Sequence, residues 1–196
     1  MTFDQLIATL AEFKLGIVHF AHKAAMRDGV FFPDNLRNAI ANATGPFDAA
    51  WELSTHVFGP SHCMELVGDV GLLFEPVATA NVKVLCNDDA GASDYGADGR
   101  SELSRENIEW SLKLAEGAKY NEWRIKGMKP KGIFVSTAGV PEVLVEKYFP
   151  EHGITTHGQK LIEIDEIAET FPDLPIYTMT ADGPAIMRVS LSASKC

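Results

Sequence analysis

Phe3, Leu6, Ile7, Leu10 and Phe13 recur at the spacing of one helix face, and Thr2 with Gln5 stands where a capping box would close the first turn. Gly16 ends that helix, and Ile17-Val18-His19-Phe20 reads as a short strand. Gly29-Val30-Phe31-Phe32 precedes a second helix that Asp34 would cap and that runs to Ala43. Gly45-Pro46 then marks a turn. Trp51 to Phe58 is a strand, closed by Gly59-Pro60, and Ser61 to Val67 is expected as a short helix. Val70 to Phe74 and Val82 to Cys86 read as strands on either side of Pro76.

The stretch Asn87 to Ser101 is rich in Asp, Gly and Ala, which predicts a long exposed loop. A helix from Ser104 to Ala115 follows, with Ile108, Leu112 and Ala115 on one side. Asn121 to Ile125 and Gly132 to Ser136 read as two strands, the second returning beside the first. Beyond them the pattern turns mostly helical, with stripes at Leu144, Val145 and Tyr148 and at Ile164, Ile167, Ala168 and Phe171, the latter capped by Asp165. Ile176 to Thr180 is a last strand before a loose tail. Helices and short strands mix without strict alternation, so the fold class expected is α+β with a largely antiparallel sheet.

The chain has 196 residues, 46% of them apolar and 22% charged, enough for one ordinary core. The net charge of -10 argues against nucleic-acid binding, which needs a basic stripe to displace counterions. The densest basic run, Arg124, Lys126, Lys129 and Lys131, reads as a solvated strand and turn. No apolar run is long enough to span a membrane, and the N-terminus lacks a secretory signal. Cys63, Cys86 and Cys196 are scattered and odd in number, which suits a reducing compartment better than a disulfide framework or zinc knuckle.

Phosphate-loop, zinc-helix and nucleophile-elbow motifs are missing. The acidic loop with Asp88, Asp89, Asp94 and Asp98 lacks the terminal bidentate Glu of a calcium loop, so no metal is expected. His62-Cys63 suggests a thiol and its base, but sequence neighbours seldom face each other, and a buried free cysteine is the plainer reading.

One segment carries more. Tyr120-Asn121-Glu122-Trp123-Arg124-Ile125 is a strand with a carboxylate near its start, followed by the apolar Gly132-Ile133-Phe134-Val135. A carboxylate there ordinarily faces water. The pattern resembles the last catalytic motif of the ADP-ribosyltransferases, in the diphtheria-toxin and poly(ADP-ribose) polymerase branch. Asp28-Gly29-Val30-Phe31-Phe32-Pro33-Asp34 is similar to that family's Gly-aromatic-aromatic segment. Gly71-Leu72-Leu73-Phe74-Glu75-Pro76-Val77, with Asn81 to Leu85, resembles its central pair of strands. A competing placement of the middle motif is Leu53-Ser54-Thr55-His56, which resembles the Ser-Thr-Ser of the cholera-toxin branch.

The resemblance implies a split, largely antiparallel sheet with flanking helices. It implies NAD as substrate and ADP-ribose transfer to a protein acceptor, with Glu122 as catalytic residue. His19 would hold the adenosine ribose, Phe31 would stack on nicotinamide, Ser54 and Thr55 would orient Glu122, and Asn121 would shape the strand start. Residues 1–136 would form the NAD-binding core, and residues 137–196 an extension packed on it. A lone transferase domain suits a bacterial effector or toxin.

The chain departs from the family in three places. Tyr120 stands where arginine-directed transferases carry a first Glu, His19 is not followed by Gly-Thr or Gly-Ser, and Phe31 has no hydroxyl. A buried, satisfied histidine is an equal reading of His19. Two alternatives therefore stand: a Cys–His hydrolase or deamidase using Cys63 or Cys86, and a non-catalytic binding protein on the same scaffold.

Overall fold

The structure is a computed structural model that describes residues 1–20, 32–44, 52–62, 64–89, 99–136, 142–148 and 157–187. Phe31, Cys63, Asp94, Asp98 and Cys196 lie outside the described residues. Among those described, no helix is long and apolar enough to cross a membrane.

The first helix, α1 (Phe3–Glu12), forms as its pattern predicts. Thr2 accepts from Gln5 N at 3.2 Å while the Gln5 side chain accepts from Thr2 N at 2.7 Å, closing the capping box. Its buried side is Leu6 and Thr9, whereas Phe3 and Ile7 stay exposed. Strand β1 (Gly16–Phe20) follows. Helix α2 (Phe32–Thr44) starts two residues before the Asp34 expected to cap it. Strands β2 (Glu52–Phe58), β3 (Val70–Glu75) and β4 (Val82–Cys86) form close to the expected bounds, with a 3-10 turn at Thr79–Asn81 before β4.

Residues 61–67 hold no helix among those described. The segment is instead tied down as a loop, by His62 N to Gly59 O and Glu65 N to Lys119 O, while Met64, Leu66 and Val67 pack on an aromatic cluster.

Helix α3 (Arg105–Leu112) is capped by Ser104, which accepts from Asn107 N, and it stops at Lys113 because Ala115 N turns away to Asn87 O. After β5 (Glu122–Lys126) and β6 (Lys129–Val135), the chain departs from the helical expectation. Glu142–Tyr148 is strand β7, paired with β8 (His157–Glu163) in a separate two-stranded antiparallel sheet. The Leu144, Val145, Tyr148 spacing also fits alternation broken once, and β-branched Val143 and Val145 suit a strand. Helix α4 (Ile164–Thr170) has Glu163 at its cap position and Asp165 inside its first turn. β9 (Ile176–Thr180) forms as expected, and part of the expected tail is a further strand, β10 (Gly183–Ile186).

The main sheet has eight strands in the order β10-β9-β6-β3-β1-β2-β5-β4, antiparallel throughout except for β6 beside β9. The architecture is thus mixed α+β, with four helices among the described residues and one large, open, mostly antiparallel sheet. It extends beyond residue 136, because β9 pairs with β6 through Ile133↔Ile176 and Phe134↔Tyr177.

The strand after β5 does not return beside it. β5 and β6 are separated in the sheet by β2, β1 and β3, although only Gly127 and Met128 join them. In a flat sheet those four spacings would be roughly 19 Å, and three Cα steps reach at most about 11 Å. The sheet must therefore fold over on itself. Gly127 takes φ +70°, a left-handed value that favours glycine, and Asn81 Nδ2 donates to Lys126 O and Gly127 O at 3.0 and 3.1 Å to hold the corner.

Alternation along the strands separates two clusters. Ile17, Leu72, Ile133, Val57, Trp123 and Ile125 join α1, α2 and α3 in the larger, aliphatic core. Val18, Phe20, Phe58, Leu73, Phe134 and Tyr177 form a smaller, aromatic cluster on the other face.

Candidate active site

β2 changes partner along its length. Phe58, Val57 and His56 pair with β1, whereas Thr55 back to Glu52 pair with β5. At this split the even-numbered residues of both strands share the face of the aromatic cluster: Glu52, Ser54 and His56 on β2, Glu122 and Arg124 on β5.

Glu122 is only 4% exposed, against the ordinary preference of a carboxylate at a strand start. Arg124, two residues on and hence on the same face, donates from Nη1 to Glu122 Oε1 at 2.9 Å. It also donates from Nε to Glu52 Oε1 at 3.0 Å, so one guanidinium spans two carboxylates. Arg124 is therefore no solvated member of a basic run, although Lys129 and Lys131 are exposed as expected. The signal that could have found it is the two-residue spacing itself, which puts both charges on one side of the strand.

The residues flanking Glu122 are enclosed and bonded. Asn121 is 0% exposed. Its Oδ1 accepts from Val57 N at 2.9 Å, and its Nδ2 donates to Val57 O and Ser111 O. Both amide protons and the amide oxygen are thus engaged by the protein at the start of β5. Trp123 packs in the aliphatic core with its indole N–H on Ser111 Oγ at 2.9 Å.

His19 stands where β1 and β2 part, with Nδ1 2.7 Å from Ser54 O. A carbonyl can only accept, so Nδ1 carries the proton and Nε2 remains an acceptor in the neutral ring. Part of the residue's surface is open, yet its ring is set among protein atoms, and desolvation holds its pKa below the usual histidine value. The bond to Ser54 opposes that effect, and the nearby Arg124 charge adds to it. Gly71 lets β3 approach here, since a Cβ would fall 2.5 Å from His19 O.

Ser54 lies on the Glu122 face, whereas Thr55 points into the opposite, fully buried side and donates from Oγ1 to Trp123 O at 2.8 Å. Of the predicted set, the fold brings His19, Ser54 and Glu122 to one split. It commits Asn121 and Thr55 to holding β5. Phe31 lies outside the described residues.

Two aromatic neighbours were not singled out from sequence as ring contacts. The His56 ring meets Tyr120 edge-on at 4.7 Å and Phe20 at 5.5 Å, and Tyr120 donates its hydroxyl to Asp89 Oδ2 at 2.5 Å. Cys86 stands opposite Glu122 in the β4–β5 register and is 5% exposed. The groove of about 300 Å³ between α1, the start of β6 and β10 is a separate feature, lined by Ile7, Lys14, Phe74 and Pro184 among others and by none of these residues.

No known protein family matches the chain, and no curated protein is significantly similar to it.

Proposed function

We propose that the protein transfers ADP-ribose from NAD to a protein acceptor, with Glu122 as its catalytic residue. The observation that carries this reading is the near-complete enclosure of Glu122 at a sheet split. Arg124 fixes one carboxylate oxygen there, and both neighbouring residues are bonded. Buried carboxylates held this way are costly and concentrate at functional sites.

Cleaving the nicotinamide–ribose bond sends its electron pair to the departing nicotinamide and leaves positive charge on the ribose, as in glycoside cleavage. The carboxylate of Glu122 offsets that charge and accepts from the 2′-hydroxyl. His19, neutral and with Nε2 as acceptor, serves a hydroxyl of the adenosine ribose. The acceptor's nucleophile then bonds the same ribose carbon and gives up its proton to solvent. Action inside a target cell, as an effector or toxin, belongs to the same reading.

Incubation with labelled NAD and cell lysate tests it. Label transfer should fall about a hundredfold to a thousandfold in Glu122→Gln and survive thiol alkylation. NAD should also raise the melting temperature by mass action. If NAD neither stabilises the protein nor labels a target, the transferase reading is wrong; activity that is NAD-independent and abolished by alkylation would move the assignment to Cys63 or Cys86.

A further inference from the structure

The main-chain pairing of β2 with β5 ends at Thr55↔Trp123, one residue short of Glu122. Past that point side chains take over. The Asn121 amide pairs with both main-chain groups of Val57, in the manner of a ladder residue, at 2.9 and 2.7 Å. The two neighbours of Glu122 then converge on one residue of α3. Asn121 Nδ2 donates to Ser111 O at 3.1 Å, and Trp123 Nε1 donates to Ser111 Oγ at 2.9 Å. Ser111 Oγ spends its own proton on Ile108 O at 2.8 Å, so its lone pair is turned toward the indole. Asn121, Trp123 and Ser111 are all 0% exposed.

We infer that Ser111 is a positioning residue for Glu122, although it touches nothing that would react. Residues 121 and 123 point to one side of the strand and Glu122 to the other. With both neighbours tethered to a single point, the pleat at Glu122 cannot rotate. A serine within a helix ordinarily satisfies itself on the preceding turn and contributes little else; here its carbonyl and hydroxyl serve a different element. The anchor is firm at both ends of α3, because Ser104 caps its start and Asn87 Nδ2 donates to Lys113 O at its end. Only the kinetic half of the test below rests on the transferase reading.

Ser111→Ala removes the indole's acceptor, and Ser111→Thr keeps a hydroxyl. At a temperature where circular dichroism shows each variant folded, Ser111→Ala should lower kcat for ADP-ribosyl transfer about tenfold to a hundredfold. KM for NAD should stay within about twofold, because an aiming defect acts on the transition state. Ser111→Thr should recover most of the loss. The second readout needs no turnover: the NMR chemical shift of the side-chain carboxyl carbon of Glu122, assigned by its loss in Glu122→Gln. That shift should move in Ser111→Ala and return in Ser111→Thr. If Ser111→Ala does not fold, Trp123→Phe removes the same bond from its other side and carries the same expectations. A Glu122 signal unmoved by loss of the bond overturns the positioning role whatever the kinetics. A wild-type protein that ignores NAD, but whose Glu122 signal responds, refutes the transferase reading and upholds the positioning.

Discussion

The two faces of the main sheet are built on different terms. On the aliphatic face, Leu72, Ile133, Val135 and Ile17 pack against α1, α2 and one another, and neutral side chains such as Thr55 and Asn121 are satisfied by main-chain groups. On the other face, aromatic side chains share the surface with Glu52, Ser54, His56, Glu122 and Arg124, and the polar groups must be satisfied one by one. Burial is similar on both, but interchangeability is not. An aliphatic core accepts another residue of like volume at modest cost. A buried charge whose partner is deleted has no such substitute.

Trp123 joins the two regimes, since its ring lies in the aliphatic core and its main chain and N–H hold the strand that carries Glu122. Trp123→Ala should be the most damaging single change, destabilising the fold by about 3–5 kcal/mol through the cavity it leaves. Urea unfolding followed by tyrosine fluorescence or circular dichroism measures it. A loss below about 1 kcal/mol would mean that Trp123 is not the enclosed link between the faces. Glu122→Gln sharpens the contrast, because the fold should survive while label transfer does not.

How far each face was legible follows from the same difference. Repeats such as Leu72 and Leu73 against Ile133 and Phe134 announce strands, and β1, β3, β4, β6 and β9 stood close to their expected places. The segment 142–148 was misread because Leu144, Val145 and Tyr148 fit a helical stripe as well as an imperfect alternation, and only the partner strand β8 decides between them. Sheet order was hidden altogether. Two strands joined by Gly127 and Met128 read as a hairpin, and nothing local reveals that the sheet folds over to meet itself. At the site, the two-residue interval of Glu122 and Arg124 was visible in the chain, but the tie of Asn121 and Trp123 to Ser111 depends on how α3 packs.

Two partly buried histidines should also make stability respond to pH. Burial is the largest influence on His19 and lowers its pKa, and His62 is lowered by the same cause. An unfolded histidine binds its proton near pH 6.5, so below that value the unfolded chain takes up protons that the folded one still refuses. Stability is therefore greatest above about pH 6.5 and falls from there down to the folded-state pKa values, after which these groups add no further change. Unfolding free energy measured from pH 7.5 to pH 5 should show this decline in the wild type, and His19→Asn should make it shallower. A profile of equal slope in both proteins would mean that burial does not hold the His19 ring neutral in the fold.

The smallest effect is expected outside both faces, where Arg105 joins α3 to the end of α1. Its guanidinium donates to both oxygens of Glu12 at 2.7 and 2.6 Å and to Glu109 at 2.9 Å, and it lies 4.9 Å from the Phe13 ring. By geometry this is a better ion pair than Arg124 with Glu122, and the hydrogen bonds from Arg105 hold the Glu12 carboxyl below its usual pKa. Yet about half of each side chain is in water. Solvent screens the attraction, and fixing three long side chains costs entropy. Arg105→Ala should therefore lower the melting temperature only slightly, and the difference from wild type should shrink further in about 1 M salt, where the screening length is about 3 Å. Arg124→Ala, by contrast, strands an enclosed carboxylate and should cost more in any salt. Were the two variants to lose equal stability, enclosure would not be what separates the site from the surface, and the distinction between Glu122 and an ordinary solvated glutamate would fail with it.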